Sequence, residues 1–550
     1  MTTIAAGQSG SYTFTELSNV TVSLDSGEHA LVVVLSSAGD QLFSDRASST
    51  KTIGPFPTGA VLTVTADGAA VDYAVSTAKA DGNFASYTGK EAVSYATDPI
   101  TGLDVLDAGS LIPVAGAVAK LINDKRTFVL GPGDSRQAQI GSSGPLATTA
   151  QHWFPWASAL NGGNMRHVAN YGISGKRSDE YLATNFAASL TASGYWYVFN
   201  SPAINDIAQA PAPYTTLDGV AITLANVAEY VAGRILTAAI TARAAGYQVV
   251  ITSEPGSNTC TQAQCTAVYE LNQRLKEICQ TYGFLYFDIA AVLWNPTASA
   301  TTISFKTGYS SDGTHLTHLG AYFAGKAFAG LIGKFIPAAY ILPSNRSDVL
   351  ATNARQLIQN PLFTTLTGGA SSGVTLTGNV PANWTLGNTA GAGTSVTITS
   401  AANADGYGND VTLTITAGAA DTVTFQQGNI SGAGNANWAI TDVMQSGIQM
   451  DVASGSSNFI SYWQQGIATV EGPTQNNFVL YSGVGTGLGP GPTEAYTLTY
   501  AAKPTAAGLT SGGALATRSF IAPYLKLVFT AAGSATITLR RPFWDKRFAL

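Results

Sequence analysis

The stretch Thr127-Phe-Val-Leu-Gly-Pro-Gly-Asp-Ser-Arg136 ends an apolar strand pattern at two glycines and delivers a serine, Ser135, just beyond it. Parallel sheets present nucleophiles at such points, because glycine permits a sharp turn and close approach of a substrate. A helix opening after Ser135 would aim free N–H groups at developing negative charge. A serine hydroxyl is a poor nucleophile at neutral pH. It needs a base within hydrogen-bond reach, and the base needs a carboxylate that orients it and stabilises its charged form. The histidines are His29, His152, His167, His315 and His318. Asp312-Gly-Thr-His315 puts a carboxylate three residues before a histidine. One tight turn can then hold both, with Asp312 on one ring nitrogen and the other facing Ser135. His318 is the rival base, but Leu319 to Phe328 reads as a helix that begins there.

Two further segments lie between these in chain order. They are Asn170-Tyr-Gly-Ile-Ser-Gly175 and, after the strand pattern Tyr195-Trp-Tyr-Val-Phe199, Ile204-Asn205-Asp206. The ordered set resembles the SGNH (GDSL-type) hydrolases over roughly residues 126 to 345, and the four residues that name that family match Ser135, Gly175, Asn205 and His315. The resemblance implies a multidomain protein around an α/β three-layer core, a parallel sheet between helices, with carboxylic ester hydrolase activity. It implies Ser135, Asp312 and His315 as catalytic residues. An oxyanion hole would be made by the N–H of Ser135, the N–H of Gly175 and the side-chain amide of Asn205. The family's third block usually reads Gly-x-Asn-Asp; here it is Ala203-Ile-Asn-Asp206, which adds one methyl group beside the donor. Asp134 and Asp206 are expected to cap turns or helices rather than react. His152, Trp153 and Trp156 are expected at a substrate rim, with buried structural histidines as the competing reading of His152 and His167.

Composition narrows the partners. The net charge is -6, so nucleic-acid binding gains no support. Charged residues are only 11% of the chain against about a quarter in ordinary globular domains, while hydrophobic residues reach 45%, enough for folded cores. Between Arg355 and Lys503 there is neither lysine nor arginine, so this region would be a poor reader of phosphates or anionic membranes and suits a neutral ligand. No His-Glu-x-x-His or paired Cys-x-x-Cys run marks a metal site, and no cofactor is implied. Cys260, Cys265 and Cys279 are odd in number; Cys260 and Cys265 either close a small loop or remain free. The first ten residues lack a basic start and an apolar run, so a secretory signal peptide is not expected.

The texture divides the chain. Residues 1–83 show short alternating runs such as Ala30 to Leu35 and Ala60 to Thr65, the pattern of a small β domain. Residues 84–125 form a linker in which Ile112 to Ile122 reads as a connecting helix. In 126–345, buried-strand candidates Thr127 to Leu130, Tyr195 to Phe199, Gln248 to Thr252 and Phe284 to Phe287 alternate with helical patterns such as Leu224 to Ala245. Residues 346–550 give many short alternating strands and are expected to fold separately. Their opening Asn360-Pro-Leu-Phe363 and closing Ile-Thr-Leu539 followed by Arg-Arg-Pro-Phe-Trp544 resemble jelly-roll carbohydrate-binding modules. Trp384, Trp438, Tyr462 and Trp463 are either sugar-stacking platforms or core. The arrangement looks like that of phage tail spikes or fibres that deacetylate a host polysaccharide. Such a protein would be extracellular or part of the virion tail, attached to tail or baseplate through its N-terminal domain, and homotrimeric, with acetylated capsule or O-antigen as partner. The rival readings are a secreted bacterial carbohydrate acetylesterase and a glycan-binding adhesin with a vestigial esterase fold.

Overall fold

The structure, a computed structural model, describes most of residues 2–77, residues 124–140 and 151–336, and most of residues 358–547. The expected connecting helix from Ile112 to Ile122 lies outside the described residues. Two compact units divide the chain, Met1–Thr97 and Asp98–Leu550.

In the first unit, two four-stranded antiparallel sheets enclose one core that includes Phe14, Val20, Val22, Val32, Val34, Leu62 and Val64. Strand His29–Leu35 shows why. Side chains of a strand alternate between faces, so Ala30, Val32 and Val34 are buried while Leu31 between them is 43% exposed.

The second unit is built on a five-stranded sheet whose order is Arg166–Gly172, Thr127–Gly133, Trp196–Phe199, Gln248–Thr252, Leu285–Phe287, with every neighbouring pair parallel. Both faces are covered. Phe128, Leu130, Trp196, Val198 and Val250 point to one side, into a core shared with helices Trp153–Leu160 and His318–Ile332. Val129, Tyr197, Phe199, Val249 and Ile251 point to the other, against helices Ser178–Ser189, Val227–Ala244 and Gln262–Tyr282. Double coverage explains why the central strands read as continuous apolar runs. It also explains why the edge strand Arg166–Gly172, all of whose residues are half-buried, carries no such run and escapes the pattern. In chain order the strands stand 2-1-3-4-5. The first and third lie side by side while their following segments leave in opposite directions, and ligands of doubly wound sheets bind beyond the strand ends at that switch point.

Residues after 358 form an antiparallel β-sandwich of a seven-stranded and a six-stranded sheet, with one parallel pair at the edge of the larger. It does not stand apart from the α/β core. Trp156 and Tyr322, on the helices of the first face, pack edge-on and tilted against Tyr496 of the sandwich at ring distances of 5.7 and 5.3 Å. Glu494 accepts from Lys326 Nζ at 2.7 Å and from the Tyr322 hydroxyl. Removing either part would uncover this aromatic surface, at about 1.5–3 kcal/mol per large side chain. Trp384 stacks on Phe425 at 4.9 Å and is 1% exposed, so it is sandwich core and no sugar platform. Trp438 lies outside the described residues, as do the side chains of Tyr462 and Trp463.

Candidate active site

Ser135 follows the first strand and opens a single helical turn, Ser135–Ala138. Asp134 caps that turn, accepting the Arg136 N–H at 2.8 Å, as its neighbourhood predicted. Gly133 is required by proximity: a Cβ there would sit 2.8 Å from Cβ of Gln137 in that turn. The strand therefore passes through Asp134 directly into the turn, and Ser135 sits in the open cleft at the sheet's carboxyl edge.

The turn from Asp312 to His315 faces it from 180 positions away. His315 Nε2 lies 2.8 Å from Ser135 Oγ, and His315 Nδ1 lies 2.6 Å from Asp312 Oδ2. In the neutral ring, Nδ1–H donates to the carboxylate, which leaves Nε2 to accept the serine proton. Asp312 is half exposed, at 51% of its side chain, so hydrogen bonds rather than enclosure hold it. Its partial burial alone would raise its pKa. The backbone N–H of His315, the imidazole and the N–H of Thr314 outweigh this and bring the carboxyl down to about 2. It is ionised wherever the enzyme would work.

Asn205 lies in the first turn of helix Ile204–Gln209, after the third strand. One hydrogen of its amide is given to the Lys176 carbonyl at 3.0 Å, which fixes the orientation of the group, and the amide carries a second N–H at the wall of the cleft. Gly175 immediately precedes Lys176 and has φ of 77°, a conformation open to glycine without strain. Asp206 is not part of the cleft. Buried and raised by desolvation to about 7, it accepts the backbone N–H and hydroxyl of Ser178 at 2.8 Å each, tying the helix that bears Asn205 to the start of helix Ser178–Ser189.

The structure thus brings Ser135, Asn205, Asp312 and His315 into one cleft of about 220 Å³ and tethers Gly175 beside it. It removes the three expected rim residues. Trp153 is 1% and Trp156 3% exposed. The Trp153 ring lies 4.7 Å from that of Phe328 and its Nε1 donates to Asn200, while Trp156 packs toward the sandwich. His152 caps helix Trp153–Leu160 by accepting the Phe154 N–H on Nδ1; burial, with His167 nearby, lowers it to about 3, so it stays neutral. Trp153 and Trp156 are the core beneath the site rather than its rim, and His152 is the buried structural histidine of the competing reading. His318 is the first residue of helix His318–Ile332 and fully buried, as its helical context indicated.

The remaining walls are Ile204, Ala208, Ser257, Thr259, Cys260, Gln264 and Thr314. Most follow the fourth strand, and their position beyond a parallel strand's carboxyl end was the available signal for them. Cys260, Cys265 and Cys279 are free thiols.

Residues 133–322 match the model of the GDSL-like Lipase/Acylhydrolase family. No curated protein matches the chain. Among solved structures it is similar to a GDSL-like lipase from Bacteroides thetaiotaomicron (18% identity, covering 42% of this chain and 94% of that one, TM-score 0.28). It is also similar to the acetyl xylan esterase AlAXEase (12% identity, 38% and 99%, TM-score 0.29). A third likeness is to a structure of carbohydrate-binding modules of the β-sandwich superfamily (12% identity, 30% and 57%, TM-score 0.19). The matched segment carries the serine, the asparagine, the carboxylate and the histidine at the carboxyl edge of a parallel sheet, and residues 133–322 form a GDSL/SGNH hydrolase domain.

Proposed function

We propose that the protein is a serine esterase that removes O-acetyl groups from an acetylated bacterial surface polysaccharide, in the setting of a phage tail spike. The observation that carries the chemistry is the unbroken relay from Asp312 through His315 to Ser135 Oγ, at 2.6 and 2.8 Å. His315 takes the hydroxyl proton as Ser135 attacks the ester carbonyl. The Asn205 amide, with the N–H groups of Ser135 and Gly175, meets the oxyanion. His315 then returns the proton to the departing sugar oxygen, and water attacks the acyl-serine by the same route.

The cleft supports a short acyl group on a polar alcohol. Its volume, about 220 Å³, is below the roughly 300–1,000 Å³ of sites that bury drug-sized ligands. Its walls are mainly hydroxyl, amide and ionisable side chains, with only Ile204 and Ala208 as aliphatic lining. A long fatty chain would exceed a cleft of this size and leave most of its length in water.

The setting draws support from the two β-sheets described in the first unit, available for attachment to tail or baseplate, and from the sandwich, which lacks basic residues between Arg355 and Lys503 and suits a neutral glycan. A homotrimer belongs to the same proposal. A serine, a histidine and one carboxylate are equipped for acyl transfer, whereas glycosidic cleavage generally needs two facing carboxylates. Incubated with acetylated capsule or O-antigen, the protein should release acetate and erase the acetyl proton signals while the polymer keeps its size distribution. Ser135→Ala should release none. Shortening of the polymer without acetate would refute the reading.

A further inference from the structure

Beneath the cleft lies a carboxylate that belongs to none of the motifs. Glu254, just past the fourth strand, is fully buried, and its two oxygens reach three different segments. Oε2 accepts the Ala203 N–H at 2.9 Å, and Ala203 stands two residues before Asn205. Oε1 accepts the Gly256 N–H at 2.7 Å. The loop that Gly256 begins is itself fastened to the base-bearing turn: Asn258 N–H donates to the Gly313 carbonyl at 2.8 Å, and the hydroxyls of Ser257 and Thr314 lie 2.9 Å apart. The third partner is Arg136, whose Nη2 lies 2.8 Å from the carboxylate and whose backbone adjoins Ser135. Arg136, 5% exposed, also donates to the carbonyls of Ser201 and Gly256 at 3.3 and 3.4 Å. Glu254 itself is pinned to helix Gln262–Tyr282, because Asn272 accepts its N–H at 2.7 Å and donates to its carbonyl at 2.8 Å.

The geometry assigns Glu254 a role as a positioning residue of the site, the buried carboxylate on which the segments bearing Ser135, Asn205 and the His315 turn converge. The assignment rests on the esterase reading above. Nucleophile, oxyanion donor and base come from the ends of three different segments, and reaction demands that their mutual distances be held to well under an ångström. Helices and sheet fix each strand, but not the loops beyond. A carboxylate has acceptor positions for several donors at once. Here it takes one from each loop, and burial keeps water from competing for them.

Glu254→Gln is the sharpest perturbation. The amide keeps the shape but has one oxygen, so its NH₂ must confront Ala203 N–H, Gly256 N–H or Arg136, and one tie must break. Glu254→Asp keeps the charge but is a methylene short of spanning all three. Each is compared with Leu275→Ala, which opens a cavity on the buried side of helix Gln262–Tyr282 and lowers stability while removing none of the hydrogen bonds to Glu254. Turnover of 4-nitrophenyl acetate is read per active serine, counted by titration with a small fluorophosphonate. Both Glu254 variants should lose about 10- to 100-fold in kcat, with KM within about twofold of the parent, as expected for misplacement of about an ångström. Leu275→Ala should keep its kcat at an equal loss of Tm.

Unchanged kcat per titrated serine in the two variants, an equal loss in Leu275→Ala, or failure of both Glu254 variants to fold would overturn the assignment and leave Glu254 a residue of stability alone. Ser135→Ala, run alongside, separates the two levels. Activity in that variant removes the esterase reading itself, whereas a dead Ser135→Ala beside a fully active Glu254→Gln removes only this proposal.

Discussion

Asn205→Ala tests the oxyanion site with little disturbance of anything else. Among the described residues the side chain makes one hydrogen bond, part-buried, to the carbonyl of Lys176. Alanine is also well suited to the first turn of helix Ile204–Gln209. Folding stability should therefore fall by only about 0.5–1.5 kcal/mol, the net worth of one hydrogen bond. In the transition state the loss is different. In the proposed mechanism the amide's second N–H meets the developing charge, and removal of one such donor costs about 2.7–4 kcal/mol, or about 10²- to 10³-fold in kcat. The ground-state ester carbonyl gains far less from that donor, so KM should hardly move. Steady-state hydrolysis of 4-nitrophenyl acetate, with Tm followed in parallel, makes the measurement. A fall of less than about tenfold, or a loss carried by KM, would show that Asn205 binds substrate or supports the loop and is not the oxyanion donor.

Two further outcomes follow from the site and the fold. Because the Asp312 carboxyl is lowered to about 2 from its usual 3.8, its folded-state interactions are fully present above about pH 4 and are lost as pH falls through 2. The Tm difference between the parent and Asp312→Asn should therefore be constant near neutrality and shrink between about pH 4 and 2, while kcat near neutrality falls by about 10³- to 10⁴-fold; a Tm gap that widens in acid would contradict the sign. Tyr496→Ala, which removes the ring packed against both Trp156 and Tyr322, should destabilise by about 3–5 kcal/mol and lower the unfolding temperature of hydrolase domain and sandwich together in calorimetry. A hydrolase transition that stays in place would refute the shared core.

What could be read before any coordinates was set by how local each cause is. The strand into Ser135 and the turn from Asp312 to His315 are written in adjacent residues, because a run of apolar side chains, two glycines and a carboxylate three positions from an imidazole act over short range. The strand Arg166–Gly172 was hidden because only one side of it is paired and its residues are half-buried. Trp153, Trp156 and His152 were misplaced for the opposite reason. Adjacency in the chain put them near the motif, and only the packing of two helices on one sheet face shows that they lie under it. Cleft walls such as Ser257 and Thr259 have no motif at all; strand order brings them to the site.

Strand order also accounts for the division of labour within the second unit. A doubly covered sheet has two buried faces and two exposed ends. One face is closed by the helices around Val231 and Leu271; the other is closed by helices Trp153–Leu160 and His318–Ile332, whose outer sides accept the sandwich through Trp156 and Tyr322. The sandwich thus leans on the helix that begins three residues after His315, but through side chains at least one turn further on. Its contact combines packed rings with the Glu494 pairing to Lys326 and Tyr322 and uses no residue of the relay, while the ties that reach Ser135, Asn205 and His315 are polar, buried and gathered at the carboxyl edge. Truncating the interface should therefore act mainly on stability, and disturbing Glu254 mainly on turnover, so the two classes of variant separate what holds the domains together from what holds the reacting groups in place.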